Sequence, residues 1–276
     1  MSRQSFLKCC RLLLSTGLLP LNEKTPDNAM PALFFGHGSP MNIVSDNDFS
    51  RMLKETADTL PKPKAILIIS AHWVENDTRL SSVDNPEIIY DFGGFPQALY
   101  EVSYPVKGSP YLASKLHYPT TNRGLDHGAW SVLRHMYPNA DIPAMQLSLN
   151  KNLSLKQHFE LGKSLAGLRK EGILIIGSGG ITHNLSYFHP QSTYATPENS
   201  ALAFDNYIKH AIEANQLELL LTPERSGIPL QDVHPSMEHY IPLLYIAGIA
   251  SLGRKHRFIY EGFQDYAFSM RAWLVE

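Results

Sequence analysis

The sequence predicts an α/β protein: one domain with a mainly parallel central sheet and helices on both faces. Short apolar runs at residues 65–70 (Ala-Ile-Leu-Ile-Ile-Ser) and 172–177 read as strands covered on both sides. Stretches of helical period stand between the strands, and such alternation needs crossover connections, hence parallel neighbours. With 276 residues, 43% apolar and 18% charged, the chain can bury a sizeable core as one globular unit.

From Met30 the run Ala32-Leu33-Phe34-Phe35 reads as a strand, entered after Pro31 and left through Gly36-His37-Gly38-Ser39-Pro40. His37 would cap it. Residues 46–60 read as a helix, with Phe49, Met52, Leu53 and Ala57 at helical spacing and Pro61 ending it. The strongest strand signal, 65–70, is followed directly by Ala71-His72-Trp73. Asp91-Phe92-Gly93-Gly94-Phe95-Pro96 is too rich in glycine and proline for regular structure, yet its phenylalanines are costly to expose. It reads as a lid over a site or as a packed surface loop.

Residues 109–118 and 126–136 read as helical, the second opening on Asp126-His127-Gly128-Ala129-Trp130. A strand at 142–147, a helix at 153–170 and a strand at 172–177 follow, the last running into Ser178-Gly179-Gly180-Ile181-Thr182-His183-Asn184. Helical periodicity returns at 198–221, and an apolar helix at 237–250 tolerates Pro242 in its first turns. Residues 258–261 and 266–275 are expected to close the sheet as edge strands.

Residues 1–29 differ from the rest. Ser2-Arg3-Gln4-Ser5-Phe6-Leu7-Lys8 precedes a leucine-rich stretch and has the shape of a degenerate twin-arginine export signal. Gln4 stands where a second arginine would, Arg11 interrupts the apolar region, and Asn28-Ala29 is a weak cleavage point. A retained extension on a cytoplasmic protein is favoured over periplasmic export, with residues 30–276 as the functional domain. No later segment reaches the roughly 20 apolar residues of a membrane span.

Lys and Arg total 24 against 26 Asp and Glu, interspersed and without a basic block, so the footprint of a nucleic-acid binder is missing. A small molecule is the expected partner, and subunit number is not legible. The two cysteines, Cys9 and Cys10, are adjacent and far from the histidines. Any metal is therefore held by nitrogen and oxygen, which fits Fe(II), Mn(II) or Zn(II).

Among the histidines, His117, His135, His158, His189, His210 and His256 read as ordinary surface or core residues. His37, His72 and His183 follow buried strands, and His239 stands in Glu238-His239-Tyr240. Strand ends place side chains at the carboxyl edge, where open α/β proteins gather ligands, and imidazole is the commonest neutral metal ligand. The pattern predicts a metal site at one rim of the sheet. Glycines on both sides of His37 allow close backbone approach, and no Lys-Ser/Thr follows to make a phosphate loop. His72 taken alone is equally a core histidine bonded to a carbonyl. Glu238 and His239 offer adjacent oxygen and nitrogen, but successive helical residues point about 100° apart, so one reaches the ion and the other supports it.

Six strings in order resemble the 4,5-DOPA extradiol dioxygenase family: Pro31 to Asn42, Ser70-Ala71-His72-Trp73, Asp91 to Pro96, Asp126 to Trp130, Thr182-His183-Asn184-Leu185 and Glu238-His239-Tyr240. That family belongs to the class III ring-cleaving dioxygenases, with the protocatechuate 4,5-dioxygenase catalytic chain, and the similarity spans Met30 to the C-terminus. The resemblance implies a catalytic domain over 30–276 in which His37, His72 and His239 hold the metal. His183 completes the shell or acts as acid/base, and His127 faces the substrate. It further implies a catechol, DOPA-like, opened by O₂ to a semialdehyde. Iron triads normally include a carboxylate, which leaves Glu238 or His239 as third ligand; a histidine-only shell favours zinc at rest, whereas the chemistry needs Fe(II).

One catechol hydroxyl proton must leave and one proton must return, a task assigned to His183 with His127 assisting the developing oxyanion or orienting the substrate. Phe92, Phe95, Trp73 and Tyr240 wall an aromatic pocket or simply pack in the core. Two rival readings use the same ligands: a zinc-dependent hydrolase or lyase, and a metal-binding protein of this fold without activity.

Overall fold

The computed structural model describes residues 29–187 and 198–276; the export-signal reading and His189 fall outside the described residues. In chain order the elements are β1 (Ala32–Gly36), α1 (Asp48–Thr59), β2 (Ala65–Glu75), β3 (Leu80–Ser81), α2 (Gln97–Tyr100), α3 (Pro110–Lys115), β4 (Thr120–Thr121) and α4 (His127–Met136). Then come β5 (Ala144–Asn150), α5 (Leu155–Leu165), β6 (Ile173–Gly179), α6 (Asn199–Glu213), α7 (Leu230–Val233), α8 (Ile241–Ala250), β7 (His256–Tyr260), β8 (Phe263–Gln264), β9 (Phe268–Ser269) and β10 (Ala272–Val275).

Eight strands form one sheet in the order β4-β3-β5-β2-β6-β1-β10-β7. Its centre, β5, β2, β6 and β1, is parallel throughout, as the alternating sequence requires. Along β1 the pleat sends Leu33 and Phe35 to one face, with Ile66, Ile68, Leu174 and Ile176, beneath α1 and α4. Ala32 and Phe34 go to the other, with Leu67, Ile69, Ile173 and Ile175, beneath α5, α6 and α8. Two cores thus sandwich the sheet. α8 lies wholly inside the second of them, which accounts for a helix apolar on every side.

Local signals set the helix ends. Asn47 accepts from the Ser50 N–H and the Ser50 hydroxyl accepts from the Asn47 N–H, a reciprocal cap on α1, and Ser154 with Gln157 does the same for α5. Pro242 occupies the second position of α8, where its missing N–H costs nothing.

Three expectations need correction. β2 does not stop at residue 70 but runs to Glu75, with its register against β5 shifted between Ile69 and Val74. The irregularity reorients residues 70–73 within the strand. The 266–275 segment is two strands: β9 pairs with β8 in a separate ribbon, and β10 lies inside the sheet between β1 and β7. Only β7 is an edge. Finally, Glu238 and His239 sit in the turn before α8 rather than in its first turn.

Candidate metal centre

Parallel neighbours end on the same rim, so β1, β2 and β6 deliver their following or final residues to one place. His37 follows Gly36 at the end of β1, His72 lies in the irregular stretch of β2, and His183 follows β6 by a short loop. His127 opens α4 at the same rim, and His239 arrives from the turn before α8. The Nε2 atoms of His37 and His72 are 3.1 Å apart. Ring centroids of His127 lie 4.0 Å from His72 and 5.6 Å from His37, and those of His239 lie 4.8 and 5.5 Å from the same pair. His183 stacks on His239 at 3.5 Å with 3° between the planes, and on Phe268 at 4.7 Å.

Gly128 explains how α4 comes so close. A Cβ there would stand 2.5 Å from Ser70 Oγ and 3.0 Å from His72 Cδ2. Its neighbour Asp126 is fully buried and caps α4 while accepting from Ser70 Oγ (2.6 Å) and Gln146 Nε2 (2.7 Å). Burial pushes the Asp126 carboxyl up, with these two donors opposing it. The carboxylate thereby pins the helix start to β2 and β5.

Hydrogen bonding fixes the tautomers. Ser178 Oγ donates its one proton to Gly128 O at 2.6 Å, so it accepts from His37 Nδ1 at 2.9 Å and leaves His37 Nε2 with its lone pair free. Glu238 Oε1, which accepts from Ser236 Oγ at 2.8 Å, lies 3.3 Å from His239 Nδ1; His239 Nε2 is buried and without a partner among the described residues. Asp91 serves two rings: Oδ2 is 3.6 Å from His72 Nδ1, and Oδ1 is 3.0 Å from His127 Nδ1 while accepting the His127 backbone N–H at 2.9 Å. Outer nitrogens meet oxygens and inner nitrogens meet one another.

Burial first, and then the neighbouring imidazoles, hold His37 and His239 well below the ordinary histidine range. His72 is lowered likewise, by burial and then by His127, against the pull of Asp91. Burial raises the Asp91 carboxyl, yet the hydrogen bond and charge of His127 outweigh it and bring the carboxyl down to about 2. Neutral imidazoles whose lone pairs converge are poorly matched to one another and well matched to a cation. His37, His72 and His127 present nitrogens all within 4.8 Å of each other, and the His239 ring, whose Nε2 has no partner among the described residues, stands beside that group with its centroid 4.8 Å from that of His72. This all-nitrogen donor set fits a borderline divalent ion.

The cluster floors a cavity of about 730 Å³, walled by Phe92, Phe95 and Phe268. Its charged lining residues are Asp91 and Glu238; among the described residues no Lys or Arg lines it. The expected site residues His37, His72, His127, His183 and His239 all border this cavity, as does the 91–96 loop. Trp73 and Tyr240 do not: Trp73 Nε1 donates to Glu75, Tyr240 Oη donates to Leu220 O, and both are core residues.

Sequence reasoning missed three contributors. Ser178 and Asp91 act through contacts that no local pattern announces, although Ser178 stands at a strand end like the histidines. The third, His234, is buried with Nε2 2.6 Å from Ile181 O, and it braces the loop that carries His183.

Fold and site together define an α/β protein with a histidine-built, metal-capable centre at the carboxyl rim of a parallel sheet. Residues 32–267 match the family model described as the catalytic LigB subunit of aromatic ring-opening dioxygenase, and the chain belongs to that family. It is an extradiol ring-cleaving dioxygenase, an oxidoreductase. A 4,5-DOPA dioxygenase extradiol of Escherichia coli is 43% identical over 234 residues, covering 79% of this chain and 84% of that protein. A protein of the same name from Beta vulgaris is 38% identical over 248 residues, covering 85% and 92%. The crystal structure of an uncharacterized protein from Escherichia coli K12 superposes with a TM-score of 0.75 at 34% identity, covering 90% of this chain and all of that one.

Proposed function

We propose that the chain opens the ring of a catechol with O₂, using Fe(II) held by Nε2 of His37, His72 and His239. The observation that carries this is the 3.1 Å approach of His37 Nε2 to His72 Nε2, with each Nδ1 turned toward an oxygen. As third ligand His239 is favoured over Glu238, because the carboxylate is occupied by Ser236 and His239 Nδ1 whereas His239 Nε2 lacks any partner among the described residues. When bound, iron supplies a redox-active Lewis acid between catecholate and O₂, which redox-silent zinc does not, although the same nitrogens suit zinc at rest.

His183 and His127 handle protons. Two rings stacked face to face cannot both aim an in-plane lone pair at one ion, so the parallel pairing with His239 favours the acid/base role for His183 over a fourth ligand. Burial, with smaller contributions from neighbours, brings His183 down to about 4, so it is neutral at physiological pH and able to take the second hydroxyl proton. His127, with Asp91 behind it, faces the oxygen on which negative charge develops. His183→Ala or His127→Ala is expected to lower kcat about 100-fold or more with the metal still bound. Full turnover by either variant removes that residue from the mechanism.

For the substrate, the names of the relatives point to DOPA, and the cavity agrees in one respect. Its charged lining is anionic, so a catechol with an ammonium tail is favoured over one with a carboxylate tail. The order expected for kcat/KM is dopamine above ethylcatechol above dihydrocaffeate, and the reverse order refutes the charge argument. The broader test loads protein anaerobically with Fe(II), adds DOPA and simple catechols, and follows O₂ with the product spectrum. A yellow semialdehyde formed with O₂ uptake is expected. Activity with zinc in the absence of O₂ would instead favour a hydrolase.

A further inference from the structure

The 91–96 loop carries more than a wall of the cavity. Asp91, its first residue, reaches inward to two imidazoles, while Phe92 and Phe95 face the cavity beside it. Phe92 also meets His127 edge-on, with centroids 5.5 Å apart, and packs on Tyr100 at 5.3 Å and Phe95 at 5.6 Å. Glycines 93 and 94 have open space where a Cβ would be, and Gly94 has φ +79°, so the turn between the two phenylalanines asks for glycine by its backbone conformation and not by close packing. The Asp91 carboxylate is thus the inner anchor of the loop.

We propose that Asp91 is the positioning residue of His127, fixing Nδ1–H toward itself so that Nε2 is offered to the catechol, and thereby ties the aromatic wall to proton handling. The proposal rests on the reading of His127 as a proton-handling group. Asp91 Oδ1 touches both the ring and the backbone N–H of His127, which sets the ring's rotation as well as its tautomer. His127 Nδ1 is buried and has no formed hydrogen bond among the described residues, so the carboxylate oxygen 3.0 Å away is the acceptor on offer to it. When His127 Nε2 takes the proton of the catechol oxygen on which charge develops, the carboxylate faces the resulting imidazolium, which donates back to that oxygen, while the second hydroxyl's proton goes to His183; the proton on His127 can then return to the product side. The second contact, to His72, is longer at 3.6 Å and orients that ring in the same sense.

Asp91→Asn offers an amide that can donate to Nδ1 and so reverse the tautomer. It is expected to lower kcat about 100-fold in protein saturated with Fe(II) while KM for a neutral catechol moves little. Phe92→Leu, which spares the carboxylate, is expected to do the opposite, raising KM with kcat largely kept. The deciding measurement is the cycle with His127→Gln: in that background Asp91→Asn should cost less than about threefold, because a residue acting through His127 has nothing left to act on. Additive losses overturn the proposal. Asp91→Glu, which keeps the charge, should restore part of the rate; its failure to exceed Asp91→Asn counts against it.

A readout independent of turnover comes from long-range proton–nitrogen NMR of the metal-free protein. It should give the Nδ1–H form of His127 in the wild type and its loss in Asp91→Asn. The same form in both refutes the positioning role even if Asp91→Asn folds poorly enough to blur the kinetics. Absence of any catechol turnover by iron-loaded wild type would instead sink the functional reading, which keeps the two failures apart.

Discussion

At the scale of single residues, the site depends on oxygens placed behind the imidazoles. Ser178 is the clearest case, because its one proton goes to Gly128 O and so dictates the His37 tautomer. Ser178→Ala is expected to weaken Fe(II) or Zn(II) binding about 10- to 100-fold, read by competition with a metal chelator, with the fold retained. Unchanged affinity would show that the His37 tautomer is set elsewhere. His37, His72 and His183 were legible because a polar side chain at or soon after the end of a buried apolar run has few structural reasons to be there. Their oxygen partners were not, since Ser178 meets His37 across 141 positions of chain and a serine at a strand end is unremarkable. His234 escaped notice for a similar reason: the carbonyl that its Nε2 meets lies 53 residues away in the chain.

Among elements, α4 and β2 matter most, because their contact packs His127 against His72. Gly128 is the point of approach, and an added methyl would meet Ser70 Oγ and the His72 ring. Gly128→Ala is expected to cost about 1–3 kcal/mol, lowering Tm, and to weaken metal binding more than Ala129→Gly does. A variant with wild-type stability and affinity would mean that α4 slides freely. The sequence announced α4 by its helical pattern from Asp126 and α8 by its apolar length, while β3 and β4 at two residues each are too short to show a period. The 266–275 segment misled because its alternation is continuous through a break. There Ser269 bonds Thr182 and Asp205, pulling β9 off the sheet before β10 rejoins it.

Across the whole molecule, the fold class followed from composition and alternation, since buried parallel strands have little choice of partner. The price of the arrangement is a set of imidazoles buried without charge. Burial lowers His234 to about 4 from 6.5, a backbone bond and Glu238 opposing it, and it brings His158 to about 4 as well. Both folded values lie below the unfolded one, so their stability contribution is complete above pH 6.5 and is lost as pH falls toward 4 while the unfolded chain takes up protons. For His234 alone the loss by pH 4 is on the order of 3 kcal/mol. Denaturation midpoints of metal-free protein should fall steadily across that interval, and a flat profile would contradict the burial.

The most direct test of the central claim is anomalous diffraction at the iron edge from crystals grown anaerobically with Fe(II). One peak is expected within about 2.3 Å of Nε2 of His37, His72 and His239, with His127 and His183 outside that distance. A peak held by His127 in place of His239, or iron bound away from this rim, would contradict it.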